Sequence, residues 1–278
     1  MKARRRSFMY QGHRLVFDEY DGGERPVVLL PGLLLSRKMQ GPLASAIASR
    51  GYRVLCLDPL GHGDSDRPPE MSRYSMTIFG GQVIGLLDHL DIDQAVVGGT
   101  SLGANTSLEA AVAAPERVKG LLVEMPVLDN ALLGCALVFT PLMVYLTFGS
   151  PVARLVAAGA SLVPRPGRPL LGEVLLDWVS QDPRPSASVL QGLFFGRVAP
   201  SGEERRQLDM PALVIGHDRD PIHPFSDSDQ LVRELSGARL LEASSILELR
   251  LTPERLTREI TEFVDECWAK AGAPRQVA

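Results

Sequence analysis

The stretch Ala95-Val96-Val97-Gly98-Gly99-Thr100-Ser101-Leu102-Gly103-Ala104-Asn105 decides the fold. Ala95 to Gly98 reads as a short buried strand. It breaks at Gly99-Thr100-Ser101-Leu102-Gly103, and a helix rich in small residues follows (Ala104, Ala110, Ala111, Ala113). A turn this tight tolerates only small residues two positions either side of the serine, which accounts for Gly99 and Gly103. It lifts the Ser101 hydroxyl above the sheet edge and points a helix N-terminus, with its partial positive charge, toward it. A glycine-rich turn that holds a serine by chance is the plain alternative. The strand before and the small-residue helix after favour the chemical reading. The glycines do not fit G-x-G-x-x-G, so a dinucleotide site is not indicated.

Outward from this turn, strands alternate with helices. Phe8 to Tyr20 reads as a hairpin turning at Gln11-Gly12. Strands follow at Val27 to Leu30, Tyr52 to Leu57, Val118 to Met125, Leu213 to Gly216 and Arg239 to Ala243. Leu43 to Arg50 and Met76 to Leu90 have helical spacing of apolar residues. A closing helix starts with Thr252 as N-cap, Pro253 and Glu254, and places Leu256, Ile260, Phe263, Val264 and Trp268 on one face. Such alternation predicts an α/β fold, a mostly parallel sheet with helices on both faces. Between Pro126 and Asp209 no strand is evident. The expected organisation is a core domain of residues 1–125 and 210–278, with a helical cap, 126–209, inserted in it.

Composition narrows the function classes. The chain has 278 residues, 45% of them apolar and 22% charged, with a net charge of −4. Nucleic-acid binding usually leaves a basic footprint, and none is present. Cys56, Cys135 and Cys267 are few and scattered, so neither a disulfide framework nor a metal cluster is indicated, and no cofactor is expected. The basic start Lys2-Ala3-Arg4-Arg5-Arg6 lacks the apolar run of a signal peptide. It reads as a solvated tail on a cytoplasmic protein.

Four motifs in order give the chain a resemblance to the α/β-hydrolase superfamily, in its branch of single-domain esterases, lactonases and carbon–carbon bond hydrolases. They are Leu30-Pro31-Gly32, the run from Asp58 to Ser65, the Ser101 turn, and Gly216…Asp220-Pro221-Ile222-His223-Pro224. The resemblance spans about Phe8 to Trp268. It implies that Ser101 is a nucleophile and that the Leu33 and Leu102 N–H groups form an oxyanion hole. It also implies Asp220 as the acid of a triad, with Asp218 as the alternative. Pro31, Gly32 and Ile246 would border the substrate pocket.

The chain departs from the family in two places. Pro31 stands where the family usually has histidine. The family's base should follow the last strand, and that position is Ile246; no histidine occurs after His223. Serine is a weak nucleophile without an adjacent base. His13 and His89 are better explained by a hairpin turn and a helix end, and His62 by a structural loop. His217 and His223 flank Asp220, and His223 is the better candidate for a displaced base. A role in capping a loop or touching substrate stays open for it.

From Ala131 to Ala153 no residue is charged. Pro141, Gly149 and Pro151 argue against a plain membrane span, so the segment reads as the wall of an apolar pocket, with contact at a membrane surface left open. The expected function is hydrolysis of an ester, thioester or lactone in a small lipophilic molecule. A lyase, an isomerase or a catalytically silent binder of an apolar ligand is the alternative. A serine at the elbow is at odds with the aspartate that epoxide hydrolases and dehalogenases of this fold carry there.

Overall fold

The computed structural model describes residues 2–269 apart from 165, 166, 168, 219 and 221. Eight strands form one sheet in the order β1-β2-β4-β3-β5-β6-β7-β8. The strands are β1 (Arg4–Tyr10), β2 (His13–Asp21), β3 (Arg25–Leu30), β4 (Tyr52–Asp58), β5 (Ala95–Thr100), β6 (Val118–Glu124), β7 (Ala212–His217) and β8 (Ala238–Ala243). β1 and β2 make the hairpin, with Tyr10 opposite His13, and β2 runs antiparallel to β4. From β4 to β8 every pairing is parallel.

The helices are α1 (Gly41–Ser49), α2 (Met76–His89), α3 (Leu102–Ala113), α4 (Leu132–Phe148), α5 (Ser150–Ser161), α6 (Leu170–Val179), α7 (Pro183–Phe194), α8 (Gly202–Arg205) and α9 (Phe225–Glu234) between strands, and α10 (Glu248–Leu251) and α11 (Glu254–Ala269) after the last one. Side chains alternate between the two faces of a strand, and β3 shows the consequence. Val27 and Leu29 pack in the cluster that holds Ile47 of α1 and Ile260 and Phe263 of α11. Val28 and Leu30 join the opposite cluster, with Phe79 and Val83 of α2 and Leu108 of α3. A sheet buried on both faces needs near-continuous apolar strands, and β3, β5 and β7 have them.

The residues expected to form a solvated tail belong instead to β1. Arg4 and Arg6 each donate to the buried Glu19 carboxylate at 2.9 Å, and Arg53 reaches its other oxygen at 2.8 Å. Burial alone would raise the Glu19 carboxyl, but these three cations outweigh it and bring its pKa down to about 2. A buried carboxylate without partners is costly, so the basic start is held in place by charge.

Between β6 and β7 the chain leaves the sheet and forms α4 to α8, with no strand among the described residues. The start of this excursion is tied down by Asp227 of α9. Its fully buried carboxylate accepts from the N–H groups of Leu128 at 2.6 Å, Asn130 at 3.0 Å and Ala131 at 3.1 Å. No single described helix is long and apolar enough to cross a membrane.

The elbow glycines have distinct steric reasons. A Cβ on Gly103 would stand 2.5 Å from the Leu30 carbonyl oxygen, and one on Gly99 would stand 2.7 Å from the same atom. In contrast, Gly159 inside α5 has open space around it. Gly103→Ala should therefore cost about 1–3 kcal/mol in denaturant unfolding, while Gly159→Ala should stabilise by about 0.5–1 kcal/mol. Equal effects of the two substitutions would contradict the close approach of β3 to the elbow.

Candidate active site

The parallel strands end on one edge, and the strand order reverses between β3 and β5, which is where such sheets open a crevice. Ser101 stands at that point. Its backbone has φ 56° and ψ −111°, left-handed for a residue that is not glycine. The strain is held by hydrogen bonds on both sides: Ser101 N–H donates to Glu124 O at 2.8 Å, and Asn105 N–H donates to Ser101 O at 3.0 Å. Strained non-glycine backbone that persists in a folded protein is a mark of functional sites.

Behind the turn, polar side chains tie together the ends of β3, β5 and β6. Gln40 donates to Leu30 O at 2.8 Å and to the Thr100 hydroxyl at 3.1 Å. Thr100 donates to Glu124, and Arg250 reaches both Thr100 and Glu124 at 2.8 Å. The Arg250–Glu124 ion pair is buried on both sides. Arg250 belongs to α10, in the loop after β8 where the resemblance would place histidine. That loop supplies a cation to the back of the elbow. Ile246, at the expected histidine position, is 45% exposed.

The loop after β7 provides the imidazole. His223 Nε2 lies 2.8 Å from Ser101 Oγ, and His223 Nδ1 lies 2.8 Å from Asp220 Oδ2. Asp220 Oδ1 also accepts from the N–H groups of Ile222 at 2.8 Å and His223 at 3.0 Å. Asp220 and His223 are only three residues apart in the chain. Burial disfavours the Asp220 charge, but the hydrogen bond and charge of His223 and the two backbone donors prevail, and its pKa falls to about 2. An ionised Asp220 accepts from Nδ1–H and leaves Nε2 free to accept the serine proton.

The other candidates are not in this line. His217, the last residue of β7, is buried, and neither ring nitrogen has a hydrogen-bond partner among the described residues. Its Nδ1 is 3.8 Å from Asp220, and burial lowers its pKa. Asp218 is exposed. Pro221 lies outside the described residues. His62 is fully buried in its turn with Nδ1 3.1 Å from Leu60 O, and burial lowers its pKa to about 4. His89 ends α2 and stacks on Phe8 with ring centres 5.4 Å apart.

Leu102 is the first residue of α3, so its N–H is one of the helix's intrinsically unpaired donors. Leu33, Leu102 and Ser101 all line a cavity of about 300 Å³. Its remaining wall is largely apolar, including Phe139 and Met143 of α4 and Leu190 of α7. Pro31, Gly32 and Ile246, expected at the pocket, are not among its lining residues: β3 delivers the chain to the cavity only at Leu33, and Ile246 faces solvent. Two polar side chains do reach the wall, and both are already engaged. Asn105 donates to Val127 O and Val198 O, and Arg197 is paired with Glu109 and Glu204. Among the described residues no group of three or more His, Cys, Asp or Glu side chains is placed to hold a metal ion.

The structure brings together Ser101, Asp220 and His223, the three residues singled out from the sequence, and adds the Arg250–Glu124–Thr100–Gln40 network and the Asp227 anchor, which sequence reading missed. Nothing local distinguishes those residues from ordinary surface polar positions. Only the strand order brings them together.

The comparisons agree with this architecture. Residues 25–244 match the family model described as alpha/beta hydrolase fold, and the chain belongs to that family. Among curated proteins it is similar to epoxide hydrolase 2 of Siraitia grosvenorii, 40% identical over 27% of this chain and 24% of that protein. It is also similar to 3-oxoadipate enol-lactonase 2 of Acinetobacter baylyi, 32% identical over 39% of this chain and 40% of that protein. The chain thus aligns with well under two thirds of the length of these relatives. Among solved structures, the enol-lactonase from Burkholderia xenovorans LB400 superposes with TM-score 0.75 and 22% identity, covering 94% of this chain and all of that one. At that identity the likeness is one of fold.

The depressed Asp220 pKa has a consequence for stability. In the unfolded chain an aspartate titrates near ~3.9, so the folded state binds fewer protons between about pH 2 and pH 4. Its stabilising contribution is complete above that window and is lost as pH falls through it. Asp220→Asn should therefore cost more in urea unfolding at about pH 5 than at about pH 3. An equal cost at both would contradict an ionised, His223-bonded Asp220.

Proposed function

We propose that this chain is a serine hydrolase of ester, thioester or lactone bonds in a lipophilic small molecule, acting through an acyl-Ser101 intermediate. The observation that carries the reading is the continuous Asp220–His223–Ser101 line of hydrogen bonds, opening on an apolar cavity.

Ser101 Oγ attacks the substrate carbonyl carbon while its proton passes to His223 Nε2. The carbonyl oxygen becomes an oxyanion, for which the Leu102 and Leu33 N–H groups are the natural donors. Asp220 holds the imidazole in orientation and stabilises its positive charge. When the tetrahedral adduct collapses, the alcohol or thiol leaves with the proton from His223. Water then gives a proton to the same nitrogen, attacks the acyl-Ser101 carbonyl, and releases the acid as Ser101 regains its hydrogen. The helical excursion between β6 and β7 serves as a cap, and its apolar wall selects the acyl or ring portion of the substrate.

Several relatives are named epoxide hydrolases, and bond chemistry argues against that activity here. Serine attack on an epoxide would give an ether, which water does not cleave at a triad. Attack on a carboxyl derivative gives an ester, which it does. The non-hydrolytic alternative is favoured by Ile246 at the usual histidine position and by Pro31; a histidine within reach of Ser101 weakens the first of these grounds.

Intact-mass analysis after exposure to a small fluorophosphonate tests the reading. One adduct per chain is expected, lost in Ser101→Ala and retained in His217→Ala. A folded wild type that takes no adduct would overturn the hydrolase reading. Replacing Asp220 with Asn should lower turnover of an activated ester by about 10³–10⁴, since the imidazole loses its orienting acceptor.

A further inference from the structure

The outward surface of α4 and α5 is unlike the rest of the molecule. Leu133, Leu137, Val144 and Phe148 recur at helical spacing on the solvent side of α4, and the first two and Phe148 are 69–81% exposed. Val152, Leu155 and Val156 extend the patch along α5. Asp129 and Arg154 flank a run of residues 130–153 with no charge. Isolated exposed leucines are ordinary, but a contiguous apolar face of two helices marks an interaction surface.

Three features point to its occupant. First, the face is apolar, aliphatic side chains together with Phe148, and residues 130–153 carry no charge. A protein interface sets its aromatic residues beside arginine and a polar rim, whereas the boundary region of a bilayer accepts leucine and phenylalanine without such compensation. Second, α4 has 17 residues and therefore a length of about 25 Å, short of the ~30 Å hydrocarbon core. It turns through 94° into α5, which has only 12 residues, so neither helix is long enough to cross by itself and the pair can lie along a bilayer surface. Third, the patch is continuous with the cavity. Leu132 and Phe194 line the cavity and are themselves 46% and 51% exposed, beside Leu133 and Phe195 on the open surface. An apolar chain passing from that surface to Ser101 meets no unpaired charge, because Arg197 is held by Glu109 and Glu204.

We propose that the α4–α5 face docks on the surface of a lipid bilayer, with the mouth of the cavity opening into the acyl region. Docking stands apart from the hydrolase reading; delivery of substrate from the bilayer to Ser101 rests on it. Because residues 130–153 carry no charge, binding is driven chiefly by apolar burial, does not need anionic headgroups and changes little with salt.

The test is flotation of the full chain with phosphatidylcholine vesicles at low and high salt. It is run on wild type, Ser101→Ala, and the double variant Leu137→Glu with Leu155→Glu, neither of which lines the cavity. Wild type and Ser101→Ala should float equally at both salt concentrations. The double variant should lose about tenfold or more of its vesicle partitioning while hydrolysing a short water-soluble ester as before. Flotation of Ser101→Ala without fluorophosphonate labelling of the wild type would uphold docking and remove only the hydrolase reading. Failure of wild type to float would overturn docking, as would equal flotation of the double variant. So would light scattering that shows a dimer, dissociated by those two substitutions, that does not bind vesicles.

Discussion

The left-handed backbone of Ser101 is the constraint on which the rest of the site depends. At φ 56° a serine costs of order 1–3 kcal/mol, and it persists only where its surroundings fix it. Here the fixing is done from three strands. β3 comes within contact of Gly99 and Gly103, β6 takes the Ser101 N–H, and the Gln40–Thr100–Glu124–Arg250 network closes the back of the turn. The gain is positional. The hydroxyl projects into the cavity at the head of α3, where an unpaired N–H and the helix dipole already favour negative charge.

The imidazole within reach of Ser101 comes from the loop after β7, and the loop after β8 takes a different part. The loop after β8 contributes Arg250, whose guanidinium occupies the space behind the elbow. The loop after β7 contributes both Asp220 and His223. A single loop carrying both members fixes their mutual distance by local chain geometry, leaving only the approach to Ser101 to be set by tertiary packing. That packing falls to β7 and α9, and Asp227 on α9 also anchors the start of the helical excursion. The site and the wall above it therefore share one support.

Much of this was legible in the sequence. The apolar strands, the small-residue turn at Ser101 and the hairpin at Gln11-Gly12 declare themselves locally, because strand and turn preferences are local properties. The candidacy of His223 followed from its neighbourhood to Asp220. What was not legible depends on contacts distant in sequence. Arg250 and Glu124 are 126 residues apart and meet only once β6 and the β8 loop are adjacent. The basic residues Arg4 to Arg6 looked like a tail because the carboxylates they meet, Glu19 for Arg4 and Arg6 and Asp64 for Arg5, read as ordinary surface groups until the chain folds. Pro31 and Ile246 were assigned to the pocket through the resemblance, and the cavity instead follows α4 and α7.

The central claim is that the His223 imidazole takes the Ser101 proton. Chemical rescue measures it most directly: burst release of p-nitrophenolate from an activated ester by wild type and by folded His223→Ala, with and without added imidazole. The account predicts a burst of one equivalent in wild type, a fall of about 10⁴-fold or more in acylation rate in the variant, and partial recovery with imidazole. A variant that keeps the wild-type burst without imidazole would contradict it.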